Sequence, residues 1–582
     1  MINLITEHID MWTAAQIPKS NGGRGRGKNS NGQSQHGIKK LRQLILELAV
    51  CGKLEPQDPS EEPARILLEK IAKEKARLVE EGKIKKQKPL PEIGEDEKPF
   101  DLPKGWEWSK LGEVGDTNIG LTYSPNDISE DGMPVLRANN IQNGKLDLSN
   151  LVRVNKEVTI KAKAHEGDLL ICARSGSKAL VGKSALITGI SEEMAFGAFM
   201  AIFRSRMNHY ILVFILSPLF RKMIDDVNTT TINQITQGNL KNTILPIPPL
   251  TEQHRIVAKV DELMALCDQL EHQQTDSNTA HQTLVETLLT TLANAADQSE
   301  LETDWQRIAN HFDTLFTTEQ SIDQLKQTTF QLAVMGKLVP QDPNDEPAGV
   351  LLQRIAKERA RLIKEGKIKK HKPLPAIAED EKPFDLPESW EWARLGDVTN
   401  YGISDKAEPG SVNEDTWVLE LEDVEKETSK LLQKVRFSDR QFKSSKNLFF
   451  EKDVIYGKLR PYLDKVIVAD ETGVCTTEMI PLRGYCNITP QYLRLVMKSH
   501  YFIRYANEST HGMNLPRMGT DKARLALFTM VSEAEQHRIV AKVDELMALC
   551  DTLKARLNDA QNTQIQLADT IVEQAMALGK TG

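Results

Sequence analysis

The chain has 582 residues, more than a single domain usually holds, and 40% of them are hydrophobic, which is enough for globular cores. Its net charge of −8 excludes a uniformly basic surface, so any nucleic-acid contact must be a local patch. No apolar run reaches the roughly 18–20 residues of a membrane span, no secretory pattern opens the chain and the six cysteines show no metal or disulfide spacing, so we expect a cytoplasmic protein without a membrane partner or a metal.

Residues 1–104 are predicted to form a helical region with one basic insertion. Helices are expected at 38–50 and 64–83, and each carries apolar residues on one face. The insertion, residues 18–37, is rich in Gly, Arg and Lys and has no counterpart later in the chain. It is either a surface loop or an arm that touches phosphate or the minor groove.

A first variable domain, domain 1, is predicted over residues 105–250 and begins at Trp106-Glu107-Trp108. Short strands and turns precede a helix expected near 210–227. The strands are expected at 134–138, 168–174, 185–188 and 198–203. Residues 115–250 contain 14 Lys+Arg and 12 Asp+Glu, so a DNA-binding face would have to be a local cluster of cations.

A central helical spacer and repeat region is predicted over residues 251–388. It opens with Glu252–Asp268, which returns without a change at Glu535–Asp551, 283 positions later. The apolar residues alternate at spacings of three and four, which is the a/d seam of a coiled coil. The seam residues are Ile256, Val260, Leu263, Cys267 and Leu270, and Ile539, Val543, Leu546, Cys550 and Leu553 in the second copy. It continues through Leu284, Leu288 and Leu292, and through Leu557, Leu567 and Ile571.

The preceding helical region is duplicated too, because Leu41–Val114 returns as Leu325–Val398. A second variable domain, domain 2, follows at 389–534, and a coiled-coil helix at 535–582 ends the chain. Domain 2 repeats the rhythm of domain 1 but little of its sequence, and residues 399–534 contain 19 cationic and 19 acidic residues. Its strands are expected at 453–458, 465–469 and 478–482, and its helix at 491–505.

The chain is therefore predicted to be an α+β protein with an internal pseudo-two-fold repeat, in which two globular domains are separated by long antiparallel coiled-coil helices. Near-identical helices can present two equal docking surfaces. The unlike globular domains are free to bind two different ligands.

This arrangement resembles the specificity subunit of a Type I restriction–modification system over nearly the whole chain. The resemblance is carried by the exit motif Pro248–Val257 and by Asp453–Lys465, whose counterpart in domain 1 is Gly167–Ser177. The second exit, Val531–Gln536, departs from the motif because it lacks Pro-Pro. Blocks at 52–64 and 336–348 are similar to the subgroup called Type IB.

The resemblance implies that each variable domain is a target-recognition domain that reads one half of a bipartite site in double-stranded DNA. It implies that the helices set the spacing and dock two modification subunits, which methylate adenine, and that restriction subunits cleave. S-adenosylmethionine, ATP and Mg are then expected on partner subunits and no cofactor on this chain. If both domains face one side of the duplex, the half-site centres should lie about 10 bp apart.

In domain 1, three polar segments are candidates for DNA contact. Arg and Asn suit guanine and adenine in the major groove, and Lys and Arg suit phosphate. The candidates are Arg137, Asn139, Asn140, Arg174, Lys178, Lys183, Asn233 and Gln237. Plain turns and capping segments explain the same residues equally well. A phosphate-loop interpretation fails, since Gly176 and Gly182 enclose five residues where that motif needs four.

In domain 2, aromatic and basic residues alternate on a predicted strand and turn, and a polar loop follows later. The candidates are Tyr456, Lys458, Arg460, Tyr462, Asn514 and Arg517. The alternative is that both tyrosines pack in the core. The duplicated basic runs 83–88 and 367–372 are solvated faces or shared contacts to phosphate or a partner.

The sequence contains no amino-methyltransferase signature, since its one Pro-Pro pair is Pro248-Pro249, and no Walker A motif. We therefore predict that this chain has no catalytic activity alone. Two other hypotheses remain: a duplicated coiled-coil adaptor without DNA specificity, and an enzyme with an unrecognised site.

Overall fold

The computed structural model describes residues 9–15, 17–18, 33–82, 88–227, 233–486, 488–512 and 514–577. Most of the basic insertion, the run 83–87 and the segment 228–232 of a predicted polar loop lie outside these ranges. The chain forms two compact units. Unit 1 comprises residues 1–277 and 559–582, and unit 2 comprises residues 278–558. Domain 1 therefore belongs to unit 1 and domain 2 to unit 2.

The two long helices, Leu250–Asn294 and Glu533–Ala577, are 45 residues each and keep the offset of 283 from end to end. Each begins in the same way: Gln253 Nε2 donates to Pro248 O at 2.9 Å, and Gln536 Nε2 donates to Val531 O at 3.0 Å. The second exit keeps this geometry without Pro-Pro because the Ser532 hydroxyl accepts from Glu535 N at 3.0 Å and caps the helix.

The predicted seam packs as expected over its first part. Ile256, Val260, Leu263, Cys267 and Leu270 are buried in unit 1, and so are Ile539, Val543 and Cys550 in unit 2, while Leu546 and Leu553 are half-buried.

The predicted continuation of the seam is wrong at two leucines. Leu284 and Leu567 are each 50% exposed, and the next residues, Val285 and Ala568, are buried instead. An α-helix turns once in 3.6 residues, so a stripe read at 3.5 drifts by about 20° per heptad until the neighbouring residue faces the core. The same shift occurs at the same offset in both helices.

The duplicated helical regions are held to the long helices by the same contacts in each unit. Trp106 Nε1 donates to Glu252 at 2.9 Å, and Trp390 Nε1 donates to Glu535 at 3.0 Å. Burial raises the pKa of both carboxyls. The helices of these regions are Ile9–Ala14, His36–Val50 and Ala64–Glu80 in unit 1, and Gln298–Asn310, Phe312–Leu315, Glu319–Val334 and Ala348–Lys364 in unit 2.

Domain 1 contains two four-stranded sheets and two two-stranded ribbons, one of which joins its entry to its exit. The first sheet is antiparallel, in the order Ser184–Leu186, Leu169–Cys172, Met200–Arg204 and Asp116–Ile119. The second has the order Val152–Val154, Ile128–Leu136, Met194–Phe196 and Lys163–Ala164. The ribbon between entry and exit pairs Glu107–Lys110 with Ile244–Ile247, and the other pairs Ile141–Gln142 with Lys145–Leu146. The helices are Leu111–Val114, Asn208–Leu216, Pro218–Val227 and Gln237–Asn242.

Domain 2 has the same plan despite its different sequence. One sheet has the order Val466–Val468, Val454–Gly457 and Met479–Leu482, and the other Lys406–Ala407, Lys446–Phe449, Gly473–Cys475 and Trp417–Leu419. The ribbons pair Glu391–Arg394 with Leu527–Met530 and Thr510–His511 with Arg517–Met518. The helices are Leu395–Val398, Pro490–Lys498, His500–Glu508 and Thr520–Leu525.

Paired side chains confirm that the two domains are equivalent. Arg204 Nε donates to Asp168 at 2.6 Å, and Arg483 Nε donates to Asp453 at 2.7 Å. Each acid directly precedes a central strand, and each arginine lies at the end of the neighbouring strand or just beyond it. The shared core therefore explains the common rhythm of the two sequences.

The single helix predicted near the end of each domain is wrong, because each is two helices. The break falls at Ser217 and at Ser499, whose hydroxyls donate to the carbonyls of Phe214 and Val496, both at 2.6 Å. These bonds occupy carbonyls that a continuous helix would use, and Pro218 cannot donate a backbone hydrogen bond. Within the described ranges, no helix combines the length and apolarity needed to cross a membrane.

Candidate nucleic-acid interface

In domain 1, the carboxyl ends of two parallel strands bring separate candidate segments to one edge. Ile128–Leu136 runs parallel to Met194–Phe196, and Gly197 N donates to Leu136 O at 2.9 Å. Arg137 follows the first strand, and Phe199 lies three residues after the second. Because parallel strands end at the same edge, the short 3₁₀ turn Ala138–Asn140 lies on the same side as the Phe199 loop.

Arg174 and Asn233 join the same edge through backbone and side-chain contacts. The amides of Ala173 and Arg174 donate to Phe199 O at 2.9 and 3.0 Å, and Ser175 N donates to Asn233 O at 3.2 Å. The Arg174 guanidinium lies 5.4 Å from the centroid of the Phe199 ring, and that ring is 61% exposed. We call this edge the domain 1 cluster, formed by Arg137, Asn139, Arg174, Phe199 and Asn233.

Two lysines extend the domain 1 cluster along the loop that follows Arg174. Lys178 begins a short 3₁₀ helix and lies 3.3 Å from the carboxylate of Asp225. Lys183 closes the loop, where its carbonyl accepts from Cys172 N at 2.8 Å. Lys178 is exposed and Lys183 is half-buried. The loop therefore carries one of these lysines at its middle and the other at its end.

Domain 2 builds an equivalent edge with different side chains. Trp417–Leu419 runs parallel to Gly473–Cys475, and Thr476 N donates to Leu419 O at 3.1 Å. Lys458 N donates to Glu478 O at 3.0 Å, as Ala173 does to Phe199. Arg517 Nε donates to both oxygens of Glu478, at 3.0 and 2.9 Å, which raises the pKa of the guanidinium.

The remaining domain 2 candidates lie on the two loops that meet there. Arg460 N donates to Pro516 O at 2.7 Å, which ties the turn after the strand to the loop that carries Asn514. Arg460 has a left-handed backbone with φ of 52°, and Tyr462 is 51% exposed. We call this edge the domain 2 cluster, formed by Lys458, Arg460, Tyr462, Glu478, Asn514 and Arg517.

Two predicted contacts are buried, and we withdraw them. Asn140 is 1% exposed: its Oδ1 accepts from Arg137 N at 2.9 Å and its Nδ2 donates to the carbonyls of Asp147 and Asn150. Tyr456 is 2% exposed and packs edge-on against Phe502, with ring centroids 5.9 Å apart. A third, Gln237, is half-buried and its side chain donates to Thr117 O at 3.2 Å, so it holds the fold.

Sequence comparison identifies relatives of this chain. A family model described as the Type I restriction modification DNA specificity domain matches residues 103–277, which include domain 1. The chain is 40% identical to the EcoAI specificity subunit of Escherichia coli, over 98% of this chain and 99% of that protein.

The chain belongs to the specificity subunits of Type I restriction enzymes. The EcoEI specificity subunit of Escherichia coli is also 40% identical, over 98% of this chain and 99% of that protein. A solved HsdS subunit from Thermoanaerobacter tengcongensis is 17% identical, with a TM-score of 0.41 over 82% of this chain and 98% of that one.

Two residues of the clusters in this specificity subunit were not among the candidates predicted from its sequence. Phe199 lies in a stretch predicted to be a strand, and Glu478 lay at the start of another predicted strand. Both directly precede their strands, Met200–Arg204 and Met479–Leu482, and belong to the loops of the two clusters. An alignment of the two domains on the pairs Asp168–Arg204 and Asp453–Arg483 places Phe199 and Glu478 at the same position.

Proposed function

We propose that this specificity subunit reads a bipartite site in double-stranded DNA, with the domain 1 cluster on one half-site and the domain 2 cluster on the other. One observation carries the proposal. Two domains with the same fold present loops at the same edge, and those loops combine exposed cations with different neighbouring side chains. Equal scaffolds with unlike loops are suited to two unlike half-sites.

We assign no catalytic step to this chain. Arg137, Arg174, Lys458 and Arg460 contact DNA, while methylation and cleavage belong to modification and restriction subunits. S-adenosylmethionine, ATP and Mg are held by those partners. The arginines suit guanine edges or phosphate, and Asn139, Asn233 and Asn514 suit adenine. Lys178 and Lys183 suit phosphate and fix the position of domain 1 on the duplex.

The long helices also carry a surface suited to two identical partners. Five positions of the 17-residue repeat are exposed in both copies, and four of them form a single stripe at spacings of four, three and four. They are His254, Ala258, Asp261 and Ala265 in one helix and His537, Ala541, Asp544 and Ala548 in the other. Packing within a unit explains identity at buried positions but not at exposed ones. We assign this stripe to docking of one modification subunit on each helix.

Introducing an arginine into the stripe is expected to remove one modification subunit per substitution. Ala258→Arg and Ala541→Arg should each reduce the assembled complex from two modification subunits to one, and the double variant to none, because a bulky charge disrupts a close helix contact. Native mass spectrometry counts the subunits. Ala280→Arg, at an exposed position in the divergent part of the first helix, is the matched control and should keep both. Two subunits retained in the double variant would contradict the assignment.

The experiment that tests the proposed function is a genome-wide map of methylated adenines. Cells would express this chain with its modification partner, and a second strain would lack only this chain. We expect two short specific blocks around a fixed unspecified gap, and this motif should vanish without the chain. An absence of any motif, with the complex shown to assemble, would contradict the proposal and favour a coiled-coil adaptor.

A further inference from the structure

The two clusters carry different side chains at one structurally equivalent backbone position. Phe199 O accepts from the amide of Ala173, and Glu478 O accepts from the amide of Lys458, each directly after a central strand of four residues. The segments that bond Ala173 and Lys458 through their carbonyls are also equivalent. Ile235 N donates to Ala173 O at 2.7 Å, and Met518 N donates to Lys458 O at 3.1 Å. Phe199 and Glu478 therefore occupy corresponding positions.

Each of these residues is paired with an arginine, but the two arginines come from different segments. In domain 1 it is Arg174, which follows the central strand and lies against the exposed Phe199 ring. In domain 2 it is Arg517, from the ribbon strand Arg517–Met518, and Leu459 takes the position of Arg174. The isolated bridges Arg174–Gln234 and Leu459–Arg517 show this exchange directly. The guanidinium is retained at the cluster while its partner changes from a phenyl ring to a carboxylate.

We propose that Phe199 and Glu478 are the specificity-determining residues of their domains; this inference rests on the proposed function. A phenyl ring makes apolar contact with a thymine methyl group or stacks on a base, and it offers no hydrogen bond. A carboxylate accepts a hydrogen bond from the exocyclic amino group of cytosine or adenine. The neighbouring arginine holds each side chain and supplies a donor to guanine or phosphate.

Exposure supports this role over a purely structural one. Phe199 is 61% exposed, although a phenyl ring that served only the fold would be buried. The Glu478 and Arg517 side chains are 26% and 43% exposed, so both reach solvent at the edge where their loops meet. An ion pair at the protein surface contributes little to stability. Replacing either residue should therefore leave the fold intact.

The reciprocal variants Phe199→Glu and Glu478→Phe test the inference. Each would be expressed with the wild-type modification partner, and methylated sites would be mapped. Phe199→Glu is expected to change the preferred base in one half of the site by about 10- to 100-fold, and Glu478→Phe to do so in the other half only. The gap and the untouched half should stay as in the wild type. Ile160→Glu in domain 1 and Glu414→Phe in domain 2, both at exposed positions outside the clusters, are the matched controls.

If a variant assembles but methylates nothing, its order of base preference is measured by binding to DNA randomised in one half-site. A changed order of base preference supports the inference, and a uniform loss over all sequences overturns it. Wild-type motifs at wild-type rates in both assembled variants also overturn it and leave the proposed function standing. If the wild-type chain yields no split motif, the proposed function itself fails, which is a distinct result.

Discussion

Replacing Arg174 and Lys178 together by alanine is expected to lower the DNA affinity of the assembled complex by about 10- to 100-fold. Arg174 lies exposed over Phe199 at the edge of domain 1, and Lys178 begins the adjoining 3₁₀ helix. Each cation that neutralises a phosphate adds about 0.9 to the slope of log affinity against log salt. The slope should therefore fall by up to about two if both residues contact phosphate.

Fluorescence anisotropy over a series of salt concentrations measures both effects. The matched control is Lys161→Ala with Arg206→Ala, which removes two exposed cations of domain 1 that belong to none of its three candidate segments. The control should keep most of the affinity and of the slope. An equal loss in both double variants would show that only total charge matters, and would remove Arg174 and Lys178 from the interface.

Replacing Lys498 by methionine is expected to destabilise domain 2 by about 3–5 kcal/mol, because it leaves a buried carboxylate without its partner. The Lys498 side chain is 2% exposed and that of Asp464 is 6% exposed. Lys498 Nζ donates to Glu427 O at 2.9 Å, to Ser429 Oγ at 2.8 Å and to Asp464 Oδ2 at 2.5 Å.

This network also fixes the backbone beside the domain 2 cluster. Glu427, Ser429 and Asp464 all have left-handed backbones, with φ of 66°, 57° and 46°, which non-glycine residues adopt at a cost. Asp464 follows the turn that carries Arg460 and Tyr462. Loss of Lys498 should therefore loosen that turn as well as lower the stability of domain 2.

The effect of Lys498→Met should depend on pH in a defined direction. Burial raises the pKa of Asp464 to about 6, whereas an aspartate in an unfolded chain titrates near 4. A carboxyl with a raised folded pKa contributes most to stability below its unfolded pKa and loses that contribution as the pH rises through its folded pKa. Without the lysine the folded pKa rises further, so the stability deficit of the variant should be larger at pH 8 than at pH 5.

Hydrogen exchange resolved by peptide measures this effect domain by domain. Domain 1 is an internal control, since its equivalent helix Asn208–Leu216 ends in a leucine where Pro490–Lys498 ends in the lysine. Adding Asp464→Asn to Lys498→Met should restore part of the loss, because it removes the unpaired charge and asparagine tolerates the left-handed backbone. Unchanged exchange in domain 2 of the single variant would contradict the role given to the pair.

Local patterns predicted the helical framework because helical periodicity involves residues only three or four positions apart. The repeat from Glu252 to Asp268 and its copy determine two helices whose described bounds differ by the same 283 positions. The sequence also predicted the buried seam of the first helix correctly from Ile256 to Leu270. Its error at Leu284 arose because the pattern was extended at 3.5 residues per turn in a helix that turns once in 3.6.

The candidate interface was predictable only in part. The sequence indicated the cations Arg174, Lys458 and Arg460 because exposed basic residues in loops are typical of DNA contact. It did not distinguish Asn139 from Asn140 or Tyr462 from Tyr456. In each of these pairs one side chain is exposed and the other buried. Burial depends on which distant segment packs against a residue, and the sequence pattern carries no such information.

By itself, the sequence determined the duplication, the long helices, the two variable domains and the family to which this specificity subunit belongs. Only the tertiary structure decided that Phe199 and Glu478 occupy the same position, and that Arg174 beside one is matched by Arg517 beside the other. The physical reason is range. Helical periodicity acts over three or four residues, whereas Asn233 meets Gly176 across 57 residues and Arg517 meets Glu478 across 39.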